Sequence, residues 1–380
     1  MTHVEQAFTT RAEPITATAA MLREVGEPLS LEDVQVGPPG EGEIRVKIRA
    51  VGICHTDISA AHGVIPLPLP AVLGHEGSGV VEAVGPGVEG LAVGDHVALS
   101  FDHCGECPQC EAGHPAYCEL FAALNYFGTR LDGTVTMSQD GEPVHGSWFG
   151  QSSFATYAIA SQRNAVKVPE GLPLELLGPL GCGLQTGAGS VLNVLAAKPG
   201  ESIAVFGLGG VGLGGLMAAK AVGCDPIIAV DVNPARLELA KELGATSAFN
   251  PDETPDLVWD VIDVAAPGVH HSLDTVGIGP VVRQALAVLR TPGHCATVGF
   301  QGLENEIAID QGHLLVGRRL SGVVEGDADP QTFIPDLIRL YREGRFPFDR
   351  LVKIFPFSMI NEAIEASSSG EVIKPVLVFD

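Results

Sequence analysis

The stretch Gly207-Leu208-Gly209-Gly210-Val211-Gly212 constrains the chain more than any other. It follows the apolar, strand-like run Ile203–Phe206 and opens a helical pattern, Val211–Val222. Glycines in a G-x-G-x-x-G turn between strand and helix permit a tight bend and close backbone approach. The helix N-terminus then offers free N–H groups to a pyrophosphate. Asp231 ends the next strand-like run, Ile227–Asp231, and stands 19 residues beyond Gly212. A carboxylate there accepts hydrogen bonds from a ribose and repels a 2′-phosphate, which predicts NAD rather than NADP. The competing reading of Asp231, a cap for the helix opening near Pro234, stays open at this point.

From about Leu184 onward, strand and helix patterns alternate: the helix Ala235–Leu243 ended by Gly244, a strand near Ser272–Val276, a helix Pro280–Leu289, a strand Ala296–Val298. Such alternation predicts a parallel sheet wrapped by helices. Near residue 326 it stops. Phe333, Ile334, Leu337, Ile338 and Tyr341 mark one amphipathic helix, and the chain closes on the strand Val376–Phe379. Before Leu184 the texture is different. Strand-like runs Ile44–Val51 and Val80–Val84 sit among dense turn signals such as Gly37-Pro38-Pro39-Gly40 and Gly85-Pro86-Gly87, so this half reads as mostly β. With 380 residues, two domains are expected.

Composition excludes several classes. A net charge of −24 argues against nucleic acid and anionic membrane surfaces, which are bound through Lys and Arg. No run of about 18 apolar residues predicts a transmembrane helix. Met1–Glu13 has neither a basic n-region nor an apolar h-region, so it reads as a short tail and the expected compartment is the cytosol. In a long cytosolic chain, eight cysteines with four of them bunched point to metal rather than disulfides.

The bunched four, Cys104, Cys107, Cys110 and Cys118, have the spacing C-x2-C-x2-C-x7-C, with Gly105, Pro108 and Gly113 supplying bends. Four thiolates suit a closed structural zinc site; an iron–sulfur cluster is the rival. A second set is scattered: Cys54 in Gly52-Ile53-Cys54-His55-Thr56-Asp57, His75 in Gly74-His75-Glu76, and Cys182 in Gly181-Cys182-Gly183. Two thiolates and one imidazole match the three protein ligands of an open, catalytic zinc, although their separation makes the spacing itself a weak signal. Cys224 and Cys295 read as buried thiols. His270-His271 reads as structural, because neighbouring strand side chains point to opposite faces.

Taken in order, Gly-Ile-Cys-His-Thr-Asp at 52–57, Gly-His-Glu-Gly-Ser-Gly-Val-Val at 74–81, the cysteine ladder and Gly207–Gly212 resemble the zinc-dependent medium-chain alcohol dehydrogenases over nearly the whole chain. The segment Gly141–Tyr157, with His145–Phe154 inside it, and the segment Gly326–Pro335 are most similar to the aryl-alcohol (benzyl-alcohol) branch. The resemblance implies a GroES-like β-rich catalytic domain, 1–184 with 327–380, and a doubly wound Rossmann NAD-binding domain, 185–326. It implies reversible oxidation of primary alcohols, aromatic or allylic, with NAD, one catalytic and one structural zinc, and a homodimer or homotetramer. Cys54, His75 and Cys182 would hold the catalytic zinc and the ladder the structural one. Glu76 would be a carboxylate near the metal, Asp57 the acid that orients His75, and Thr56 the proton acceptor. His55 and Lys374 would face the cofactor pyrophosphate, Arg236 the ribose, and Thr186 the nicotinamide. Ser59 stands where many members carry a relay histidine, leaving Ser59 or His62 as the outer relay. Ser100 stands where several relatives carry a bulky pocket residue, with Phe101 able to refill the space. The nearest rival reaction is oxidation of a thiol adduct of formaldehyde. The rival of another class is a non-catalytic NAD-binding protein that kept the fold.

Overall fold

The computed structural model describes residues 12–302 and 304–379, so most of the expected N-terminal tail lies outside the described residues. The parallel sheet expected in the second half is present. Its six strands run Ser247–Phe249, Ile227–Val230, Ile203–Phe206, Val269–Asp274, Leu289–Thr297, Arg319–Gly322 across the sheet, and every pairing is parallel. The strand Ile203–Phe206 is wholly buried, and its residues alternate between two cores. Ile203 and Val205 join the core with Leu216 and Leu237, while Ala204 and Phe206 join the one with Val261 and Leu286. A strand covered by helices on both faces must be apolar at every position, which is why this run shows no polar alternation.

Strand order grows outward from Ile203–Phe206 in both directions. That arrangement opens a crevice at the carboxyl ends of the strands, where the glycine turn sits. The next helix, Pro234–Leu243, is bounded by its own chemistry: Asn233 accepts hydrogen bonds from Ala235 and Arg236 N–H, Pro234 opens the first turn, and Gly244 (φ +125°) ends it. One strand lies earlier than expected, at Val269–Asp274. The Asp274 carboxylate accepts the N–H groups of Val276 and Gly277, and this turn stops the strand. The amphipathic helix Leu257–Val264 was not expected from the sequence pattern.

The first half is mostly β, as expected. One sheet has five strands and another seven, and the last strand of the chain, Lys374–Val378, completes the larger one. It pairs antiparallel with Glu43–Gly52, matching Val376 with Gly52 and Leu377 with Val51. The short helix Gly183–Gly189 packs on Gly210–Val222 and joins this half to the parallel sheet. Backbones touch there, because a Cβ at Gly187 would collide with Val211 O and lie 2.7 Å from Gly215 N. The helix Pro330–Arg342 buries Phe333, Ile334, Leu337 and Ile338 in the same core as Leu184 and Leu213. Among the described residues no helix is long and apolar enough to cross a membrane.

Gly187→Ala should therefore push the two helices apart. The expected loss is about 1–3 kcal/mol, the usual range for overpacking, measured by denaturant unfolding.

Candidate metal centre and cofactor cleft

The local chain explains how Asp57 reaches its position. The strand Glu43–Gly52 ends, Cys54 takes the N-cap, and the helix His55–Ala61 begins, which puts Asp57 in its first turn. There the carboxylate favours the helix N-terminus and Oδ2 accepts the Cys54 N–H at 3.2 Å. The other oxygen, Oδ1, accepts from His75 Nδ1 at 2.7 Å, Trp148 Nε1 at 3.0 Å and Gly74 N–H at 3.1 Å. With Nδ1–H given to Asp57, Nε2 of His75 is left as the free donor atom, and it lies 3.3 Å from Cys182 Sγ. The His75 ring is wholly buried and stacks on Phe149 at 4.3 Å.

Cys54 Sγ and Cys182 Sγ are 3.9 Å apart, and the ligating atoms of Cys54, His75 and Cys182 all fall within 4.8 Å of one another. The hydrogen bond between the two thiols holds Cys54 well below the ordinary thiol range and Cys182 well above it. The half-buried Cys54 and the buried Cys182 thus share one site that favours one negative charge and one proton. A divalent cation in place of that proton would let both ionise, so the donor set fits a metal. Thr56 Oγ1 stands 3.7 Å from Cys54 Sγ.

Glu76 lies behind this set. Its carboxylate accepts from Lys374 Nζ at 2.8 and 2.9 Å and from Gly183 N–H at 3.2 Å. Burial pushes Glu76 up to about 7, against the pull of Lys374. Ser100 is also fully buried, donating to Gly181 O at 2.6 Å and accepting from Gln185 Nε2 at 2.8 Å. It holds the Cys182 loop in place. Phe101 is buried in the core with Trp148 and Phe149 and packs at 5.8 Å from Phe121.

Tyr126 and Glu325 carried no sequence signal of their own, and Trp148 stood out only as part of the branch-like stretch His145–Phe154. Trp148 ties Asp57 from a distant loop. Tyr126 is half-buried against Trp148 and Phe149, and its phenol is pushed up to about 12 by burial and by the nearby Glu325 and Cys182. Glu325 places Oε1 3.4 Å from Cys182 Sγ. A lone acid in Val323-Val324-Glu325 has no periodicity or spacing to single it out; its meaning comes from the neighbours it meets.

In the second cluster the sulfur separations are 3.5 Å for Cys107–Cys110 and Cys104–Cys118 and 3.9 Å for Cys104–Cys110. Zinc–sulfur bonds in a tetrahedron place sulfurs about 3.8 Å apart, so the cage fits a single ion. A cluster whose thiolates bind different irons would need a wider cage. Backbone N–H groups point at the sulfurs, Cys107 N to Cys104 Sγ and Cys104 N to Cys118 Sγ, both at 3.3 Å. The bond from Glu119 N–H draws Cys107 down to about 6, while burial pushes Cys110 up to about 12.

The crevice at the glycine turn is a cleft of about 590 Å³, lined by His55, Thr56, Ser59, Gly207, Gly209, Gly210, Val211, Asp231 and Arg236 among others. The glycines differ in purpose. Gly207 has φ +85° and a Cβ there would reach 2.5 Å from Thr275 Oγ1, whereas Gly209 faces open space. A Cβ at Gly212 would collide with Gly207 O, so this glycine serves packing. Asp231 accepts from Leu208 N–H at 2.6 Å and from Asn233 N–H at 2.8 Å. Asn233 itself caps the following helix, which removes the cap reading of Asp231. Lys374 and Thr186 stand beside the metal-ligating set, engaged by Glu76 and Glu325 respectively. Ser59 lines the cleft on the same helix as Thr56, while the His62 ring is bonded through Nδ1 to Ile58 O. His270 and His271 have separate partners, Ser202 and Glu201. Cys224 and Cys295 are buried.

Residues 40–170 match the family model described as the alcohol dehydrogenase GroES-like domain, and residues 210–343 match that of the zinc-binding dehydrogenases. A geraniol dehydrogenase of Castellaniella defragrans is 48% identical over 96% of this chain and 98% of its own. A crystal structure of an alcohol dehydrogenase zinc-binding domain protein from Burkholderia ambifaria superposes with a TM-score of 0.95 at 48% identity, covering 97% of this chain and 100% of that one. A crystal structure of benzyl alcohol dehydrogenase from Acinetobacter calcoaceticus gives a TM-score of 0.93 at 43% identity, covering 96% and 100%.

Asp57→Asn puts an amide where four donors converge. Affinity for the metal at the Cys54–His75–Cys182 set should fall about 10–100-fold, read by competition with a chelator.

Proposed function

The chain belongs to the zinc-dependent medium-chain alcohol dehydrogenases, and from that premise we propose that it reversibly oxidises primary aromatic or allylic alcohols to aldehydes with NAD. The observation that carries the reading is the three-donor set beside Thr56, which itself lines the cleft built on the glycine turn. In this reading Cys54, His75 and Cys182 hold one zinc, and Cys104, Cys107, Cys110 and Cys118 hold a second, structural one. When bound, zinc supplies the Lewis acidity that makes an alcohol acidic at neutral pH, and NAD supplies the hydride acceptor.

The chain's own residues do the rest. Asp57 and Phe149 orient His75. Thr56 Oγ1 takes the alcohol proton. Ser59, three residues on and in the same cleft wall, passes it to water, since residues three apart share a helix face. Asp231 and Arg236 receive the ribose, and the Gly207–Gly212 turn with His55 receives the pyrophosphate. Support for an alcohol next to a π system comes from the relatives named for geraniol and benzyl alcohol, which act on an allylic and an aromatic alcohol.

A thiol adduct of formaldehyde that bears carboxylates is disfavoured, because the buried Glu325 stands 3.4 Å from Cys182 Sγ and Lys374, the cation beside the set, is already paired with Glu76. A non-catalytic role is disfavoured by the intact set of donors with Thr56 and Asp57 around it.

The deciding measurement is NADH formation from benzyl alcohol, geraniol and ethanol, before and after zinc chelation. Turnover of the first two well above ethanol, abolished by chelation, is the expected result. An ethanol preference would overturn the substrate class, and activity after verified loss of both metals would overturn the mechanism. Thr56→Val should lower kcat about 10²–10⁴-fold while both metals stay bound, since it removes one positioned proton acceptor. Asp231→Gly should narrow the preference for NAD over NADP, read as the ratio of kcat/KM for the two cofactors.

A further inference from the structure

The strap leading from the strand Arg319–Gly322 to the helix Pro330–Arg342 bends in a costly way. Glu325, Gly326 and Asp327 have φ of +48°, +70° and +46°, three left-handed residues in succession. Glutamate and aspartate keep that conformation only where their surroundings over-determine it. Here they do. Asn193 Nδ2 donates to Gly326 O at 3.1 Å and to Asp327 O at 3.2 Å. His114, from the cysteine-rich lobe, donates Nδ1 to Asp327 at 2.8 Å. Gly326 lies flat on the helix Gly183–Gly189, where a Cβ would collide with Gln185 O and come within 2.9 Å of Gly189 Cα.

The bend delivers the Glu325 side chain into the buried space beside the metal-ligating set. Oε1 lies 3.4 Å from Cys182 Sγ. Oε2 accepts from Gln185 Nε2 at 3.1 Å and from Thr186 Oγ1 at 3.4 Å. One carboxylate thus spans the first turn of the helix, from the sulfur to the hydroxyl. Filling that space would need only an apolar side chain, and a buried carboxyl group is costly there unless it is hydrogen-bonded, as Glu325 is by Gln185 and Thr186.

We propose that Glu325 is a positioning residue that locks Cys182 and Thr186 into one rigid unit, setting where the reacting alcohol lies relative to the nicotinamide. The proposal rests on the zinc and NAD reading above. The bracket is hydrogen-bonded at its helix end, where Gln185 and Thr186 donate to Oε2, and the Cys182 thiol donates to Oε1 while it keeps its proton. Glutamine in the same rotamer would donate its amide to the Cys182 sulfur and accept from Gln185 and Thr186 through its oxygen. Methionine would keep the bulk and lose every polar contact.

The test compares Glu325→Met with Glu325→Gln after replacing zinc by cobalt(II), whose absorption bands report the geometry of the thiolates around the metal. The Met variant should shift those bands and lower kcat about 10–100-fold, the usual effect of losing a partner of a metal ligand, while the Gln variant keeps both near wild type. A Met variant with unshifted bands and unchanged kcat would overturn the proposal. So would equal band shifts in both variants, which would assign the effect to charge. Should the Met variant fail to fold, Glu325→Asp draws the carboxylate back by one methylene and should shift the bands; unshifted bands there overturn it too. The bands are read without turnover, so a wild-type protein lacking metal-dependent activity would sink the functional reading and leave this test of Glu325 standing.

Discussion

One oxygen, Oδ1 of Asp57, accepts three hydrogen bonds from three separate parts of the chain: the His75 imidazole, the Trp148 indole and the Gly74 backbone. Its partner Oδ2 holds the Cys54 N–H. The carboxylate is only 2% exposed, and each of these donors replaces solvation that burial removes. The consequence is rigidity. His75 has one ring orientation and one free nitrogen, Cys54 is fixed at the start of its helix, and the aromatic loop Trp148–Phe149 is drawn over the imidazole. Phe149 holds φ +50° to stack there, a strained conformation that this network stabilises.

Around that fixed point the chain closes from both ends. The last strand, Lys374–Val378, inserts beside Glu43–Gly52 and brings Lys374 under Ile53, where its Nζ meets Glu76 and Ile53 O. An ion pair this deeply buried is a weak source of stability but a strong register mark, since a slip by one residue would leave both charges alone. From the other side, glycines let the helix Gly183–Gly189 touch Gly210–Val222 backbone to backbone. The loop carrying Cys182 is therefore held between the β-rich half and the parallel sheet, with Glu325 reaching it along the strap that leads back out.

Much of this was legible before any coordinates. The glycine turn, the acid after the second strand and the cysteine ladder are local signals, because the chemistry they serve is completed within a few consecutive residues. The ladder closes on itself within 15 residues and its sulfurs meet as the spacing predicts. Strand boundaries were less legible: the strand expected near Ser272–Val276 ends at Asp274, because a side-chain hydrogen bond rather than hydropathy stops it.

The amino-acid sequence by itself determined the parallel sheet with its cofactor turn, the closed four-thiol cage and the candidate ligands of the open set, since periodicity, turn chemistry and local spacing act over short stretches of chain. Only the tertiary structure decided that Trp148 and His75 share one oxygen of Asp57, that Ser100 supports the Cys182 loop, and that Glu325 reaches the Cys182 sulfur. Those contacts join residues from 18 to 143 positions apart. Hydrogen bonds and packing of that range depend on where whole elements come to rest, and no local pattern records it.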